Sequence, residues 1–119
     1  MSDPKAETFV RRVCAQTLSG AIDWEATSVN DSFQSTIAGF IVRFACEERS
    51  SGDGNVYVLK LFNDDGDLID TYDNETLDGH PVYNAPRSYF NTMREAYGKV
   101  RRQVMGVDEA LDLIIKELE

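Results

Sequence analysis

Histidine occurs once in this chain, at His80, and cysteine twice, at Cys14 and Cys46. One histidine excludes metal centres and triads that draw two histidines from the same chain. Two widely separated cysteines build neither a disulfide framework nor a zinc ribbon. Each lies in an apolar periodic segment, so both are expected to be reduced, buried thiols. A Cys–His nucleophile pair with His80 is disfavoured, because a reactive thiol needs a partly exposed, electropositive setting. Long apolar runs are also missing, and a spanning helix needs roughly 18 such residues. The opening "MSDPKAETFVRR" has no charged-then-apolar leader layout. The expected location is cytoplasmic, without membrane contact. There is no glycine-lysine phosphate loop and no G-x-S-x-G elbow, and the glycines of "SGDGN" precede a strand pattern rather than a helix. No cofactor, metal or catalytic residue is expected. Positive charge is scarce as well: 12 Lys and Arg stand against 21 Asp and Glu, a net charge of -9. Nucleic acid is a disfavoured partner, since binding it requires cations that displace counterions from phosphates.

What is present fits one domain over residues 1–119. Its 42% hydrophobic content is ordinary for a folded soluble chain. Asp3 can cap and Pro4 can open a first helix, over about residues 4–19. Its face is Phe9, Val10, Val13, Cys14, Thr17, Leu18 and Ala21, and Gly20 stops it. Ile22, Trp24 and Ala26 alternate with polar residues as a short strand, and Trp24 reads as a packing residue. After the turn signal "VNDS", residues 33–47 read as one long strand with a bend at Gly39. Asp53-Gly54 signals a hairpin into "VYVLKLF", and Asp65-Gly66 signals another into "LIDTY". The polar segment "DNETLDGHPVYNAPRS" reads as a loop of about a dozen residues. Phe90, Met93, Tyr97, Val100 and Val104 then mark a long helix ended by Gly106. A last helix capped by Asp108 carries the stripe Leu111, Ile114, Ile115 and Leu118. The fold expected is α+β: a four-stranded antiparallel meander sheet with one N-terminal and two C-terminal helices packed on one face.

The most acidic stretch, "LFNDDGDLIDTYDNE", fails as a calcium loop. Placing Gly66 at the template's glycine puts Leu61 at its first ligand position and Tyr72 at its last. A hairpin tip with solvated Asp64, Asp65 and Asp67 is the sufficient reading, and a charged partner contact is the alternative use. The segment from Arg87 to Arg102 gathers Arg87, Arg94, Lys99, Arg101 and Arg102. It reads as a solvated helix face that suits the helix dipole, or as a docking strip for an acidic partner.

"IDWEAT", "NDSFQSTIAGFIVRF", the strand pair around "DDGDLID" and the ending "RRQVMGVDEALDLIIKELE" together resemble small uncharacterised bacterial α+β proteins. The resemblance covers most of the chain and rests on structural motifs. It implies a bacterial, cytoplasmic origin and the two-layer fold, and carries no catalytic residue over.

The leading functional expectation is a non-enzymatic interaction or regulatory accessory domain that binds a protein partner or forms a homodimer. The surface expected for this is an uncovered sheet face combining Ile37 and Ile41 with Tyr57, Leu59 and Leu61. An acidic inhibitor or immunity-type protein capping a basic enzyme is the alternative, motivated by the net charge. A small-ligand binder using a pocket between sheet and helices is the third.

Overall fold

The computed structural model describes residues 4–48, 52, 54–79 and 88–119. The chain is α+β, with a five-stranded antiparallel sheet and four helices among these residues. In chain order they are α1 (Pro4–Leu18), β1 (Glu25–Ala26), β2 (Ser32–Ile37), β3 (Phe40–Glu48), β4 (Asn55–Phe62), β5 (Leu68–Asp73), α2 (Asn74–Asp78), α3 (Ser88–Met105) and α4 (Val107–Glu117). The strands pair in sequence order, β1-β2-β3-β4-β5.

The fifth strand comes from the segment expected to be one long strand. It is a hairpin, with Ile37 opposite Phe40 across Ala38 and Gly39. Both turn residues are left-handed, at φ 54° and 84°, which is the backbone a two-residue hairpin needs to match strand twist. Inward-facing parity changes there, from Phe33 and Ser35 before the turn to Val42 and Phe44 after it. Alanine is a poor signal for a left-handed residue, so the turn reads as a bend from sequence alone. The first strand is also shorter than expected: Trp24 is buried ahead of it, and only Glu25 and Ala26 pair with β2.

α1 begins at Pro4 and closes as the spacing predicts, one residue earlier than expected. Ala21 N–H bonds to the Gln16 carbonyl at 2.9 Å and Gly20 N–H to that of Thr17 at 3.1 Å, with Gly20 at φ 83°. That is a Schellman closure. Asp3, proposed as its cap, lies outside the described residues, as do Asp53, His80 and Pro86. The polar loop contains a short helix, α2. Asp73 caps it by accepting from Thr76 N–H at 2.8 Å. Asn74 is buried, and its side-chain oxygen accepts from Tyr57 N–H at 2.7 Å, tying α2 to β4. Asp78 reaches the start of α3, where its two oxygens accept from Tyr89 and Phe90 N–H at 2.9 and 3.0 Å. These donors have no partner within the helix.

The core joins α1 (Val10, Val13, Cys14) and α3 (Tyr89, Met93, Ala96, Tyr97, Val100) to Trp24, Phe33, Val42, Phe44 and Leu59. Tyr97 packs edge-on to both Phe33 and Phe44, and its hydroxyl donates to the Asp31 carbonyl at 2.7 Å. The indole N–H of Trp24 donates to Thr17 Oγ1 at 3.1 Å, a bond made entirely inside the core.

α4 departs from this pattern. It follows Gly106, which is left-handed at φ 64°, and it buries no residue. Asp108 does not cap it. Gly106 occupies the cap position without a side-chain bond, and Asp108 accepts from Arg102 on α3. The radius of gyration is 15.7 Å, whereas a compact chain of this length has about 13.5 Å.

Candidate functional site

Chemistry that needs an activated group has little support among the described residues. Burial pushes the Cys14 thiol from 9.0 up to about 12. Cys46 is half-buried and its pKa is also raised, by burial first and by Asp31 second. Both thiols are therefore protonated and weakly nucleophilic at neutral pH. Tyr97 is pushed up to about 12, by burial first and Asp31 next. The Tyr89 hydroxyl donates to Glu7 at 2.8 Å and accepts from Arg11 Nε at 3.1 Å. This network binds α1 to α3. Among the described residues, no three His, Cys, Asp or Glu side chains gather as a metal-binding group, and no helix is long and apolar enough to cross a membrane.

The sheet face expected as an interface does not exist as a single surface. Ile41 pairs with Phe62, and Tyr57 pairs with Cys46. A one-residue offset in parity places Ile41 and Tyr57 on opposite faces. Tyr57, Leu59 and Leu61 belong to the core side, where Tyr57 packs between Phe90 and Tyr97 at ring separations of 5.7 and 5.4 Å. The opposite face carries a polar row beside the buried pair Ala45 and Val58. Gln34, Arg43, Lys60 and Thr71 stand side by side across four strands. Arg43 donates to Gln34, Gln34 donates to Glu25, and Lys60 pairs with Glu47 at 2.8 Å. The Arg43 guanidinium also lies over the Phe62 ring, 4.6 Å from its centroid.

The arginine strip is largely engaged within the chain. Arg101 bonds Asp31 at 2.9 Å, Arg102 bonds Asp108, and Arg94 lies over the Phe90 ring. The two ion pairs are exposed, so each contributes little to stability, typically about 0–1 kcal/mol. They orient α3 against the β1–β2 turn and against α4. Arg87 lies outside the described residues.

The acidic stretch forms a hairpin tip. Asn63 Oδ1 accepts from the N–H groups of Asp65 and Asp67 at 3.0 and 2.9 Å, and Gly66 takes φ 87°. Asp64, Asp65 and Asp67 point into solvent, so their side chains are available to a partner and the turn is organised by Asn63.

Two apolar features stand out. The first is α4. Leu111, Ile114, Ile115 and Leu118 are 44, 55, 58 and 79% exposed. They follow the i, i+3, i+4, i+7 spacing by which helices enter apolar grooves. The second is a groove of about 1010 Å³ between α1 and the tip of the β2–β3 hairpin. Phe9, Val13, Ile22 and Ile37 contribute its apolar lining, and Lys5 and Arg12 its basic charge. It lies at the upper end of the range for small-molecule sites. The stripe was visible in the sequence, but its exposure was not. The groove has no sequence signal, because it depends on where α1 crosses the hairpin.

Comparison with known protein families, characterised proteins and solved structures finds no match for this chain.

Proposed function

We propose that this protein is a non-enzymatic interaction domain, and that α4 is its principal contact element. In this reading α1 and α3 cover one face of the sheet, and α4 is left for a partner surface. The observation that carries it is the stripe Leu111, Ile114, Ile115 and Leu118, all four exposed on a helix with no buried residue. A contiguous apolar patch of this kind on a folded chain marks an interaction site. Fully burying a leucine or isoleucine contributes about 1.5–3 kcal/mol. Half that gain at four positions is on the order of 3–6 kcal/mol, before the cost of association.

An isolated helix under about 12 residues is also marginal in water. α4 has 11. A docking surface would supply the stability that its own domain does not.

The test is capture of bound protein by the tagged full chain from its host's extract, with the protein itself counted as a partner. Ile114→Asp combined with Leu118→Asp should abolish capture while leaving the far-UV circular dichroism of the rest of the fold intact. Capture that is unchanged by these substitutions would overturn the assignment to α4. A second reading, an acidic cap on a basic enzyme, is favoured by the solvated tip at Asp64, Asp65 and Asp67. It would show as a partner retained by the α4 variant and lost in high salt.

A further inference from the structure

Resting on the interaction role of α4, we propose that its partner is a second copy of this chain. The apolar stripe of one copy enters the groove between α1 and the β2–β3 hairpin of the other, and the exchange is reciprocal.

Charge points to this occupant. α4 carries Asp108, Glu109, Asp112 and Glu117 against Lys116 alone, and Asp112 flanks one edge of the apolar stripe. The groove is lined by Lys5 and Arg12 of α1 and by one acidic residue, Asp23. An α4 laid along α1 therefore sets an acidic helix against a lining with more basic than acidic groups, Asp112 toward Arg12, with the stripe turned toward Phe9, Ile22 and Ile37. Dimension agrees as well. A helix of 11 residues is about 16 Å long and 10–12 Å across with its side chains, and a groove of about 1010 Å³ that is open to solvent along one side suits it.

Pairing α4 with α4 is a poorer alternative. Residues 107–119 hold five acidic groups (Asp108, Glu109, Asp112, Glu117, Glu119) and one lysine, Lys116. Two such helices side by side bring like charges together. Reciprocal docking instead gives a closed two-fold dimer with two equivalent contacts, the commonest symmetry of soluble oligomers. Gly106 provides the joint. Its left-handed backbone ends α3 and re-aims α4, and a Cβ there would meet Glu109 Oε2 at 2.8 Å.

The experiment mixes two full-length variants, one Ile37→Cys and the other Leu111→Cys. Each carries Cys46→Ser, and the buried Cys14 is retained. Mild oxidation should cross-link unlike copies in the mixture, and neither variant should cross-link to itself. Sedimentation equilibrium of the unmodified chain should give twice the monomer mass. Arg12→Glu should weaken the dimer at least tenfold, and Asp112→Lys in the same chain should restore part of the loss.

A strict monomer at all concentrations would overturn the proposal, and so would a dimer in which Leu111→Cys cross-links to itself. These failures separate from failure of the interaction role. A self-cross-linked α4 dimer, or a monomer whose α4 captures another protein, removes the second-copy groove and keeps α4 as the contact element.

Discussion

Thr17 and Trp24 show how a single polar pair is held inside the core. The indole N–H donates to the Thr17 hydroxyl, 3.1 Å away and buried from water. Thr17→Val keeps the shape and leaves that donor unsatisfied, which costs about 1–3 kcal/mol. The denaturant midpoint should fall accordingly, with an unchanged slope. Cys14 and Tyr97 give the fold an alkaline limit. Both are pushed up to about 12, from 9.0 and 10.0. A raised pKa means that the folded state holds the proton more tightly than the unfolded chain. The stability associated with these groups is fully present below about pH 9 and is lost as pH rises toward 12. Melting temperatures measured from pH 8 to 11 should fall progressively, and Cys14→Ala should flatten the first part of that fall. Over the same range Cys46 should react with a thiol reagent before Cys14, because it is less buried.

At the scale of elements, what was readable in the sequence was whatever has a local cause. Pro4 and the Gly20 closure define α1, the Asp65-Gly66 turn is local to its hairpin, and the three- and four-residue steps of Phe90, Met93, Tyr97 and Val100 mark α3. The β2–β3 hairpin was hidden because Ala38 stands where asparagine or glycine normally signals the turn. This suggests a stabilising change. Ala38→Asn places a residue tolerant of left-handed backbone at φ 54°, and should raise stability by about 0.5–1 kcal/mol in urea unfolding. α2 was hidden by the prolines that follow it, although Asp73 and Thr76 form a recognisable cap. The split of Ile41 from Tyr57 could not be seen before the register was known. Gly106→Ala acts on the junction of α3 and α4. A non-glycine residue at φ 64° costs about 1 kcal/mol, which favours one continuous helix through residues 88–117. Helical signal should hold or rise while association falls, because α4 then points elsewhere.

At the scale of the whole molecule, the extended α4 and the radius of gyration of 15.7 Å describe a core with one unsatisfied element. The net charge of -9 sets copies of the chain to repel one another, which opposes nonspecific association through an exposed apolar stripe. It also sets how the assembly should respond to salt. In the proposed dimer, salt would screen the contact of Asp112 with Arg12 and leave the apolar contact in place. A dimer held this way weakens only moderately between low and high salt. Replacing Asp64, Asp65 and Asp67 together by asparagine should leave its dissociation constant unchanged, because the β4–β5 tip takes no part. A partner bound through that tip would be lost under both changes.

Amide hydrogen exchange in α4, followed over a wide range of protein concentration, tests the role of this helix most directly. If a second copy holds it, amides from Leu113 to Glu117 are protected at high concentration and exchange close to the unprotected rate on dilution, while those of β3 and α3 stay protected throughout. The Ile114→Asp variant should show the dilute behaviour at every concentration. Protection of α4 that does not change with dilution would contradict docking between copies, and so would free exchange of α4 even in concentrated solution.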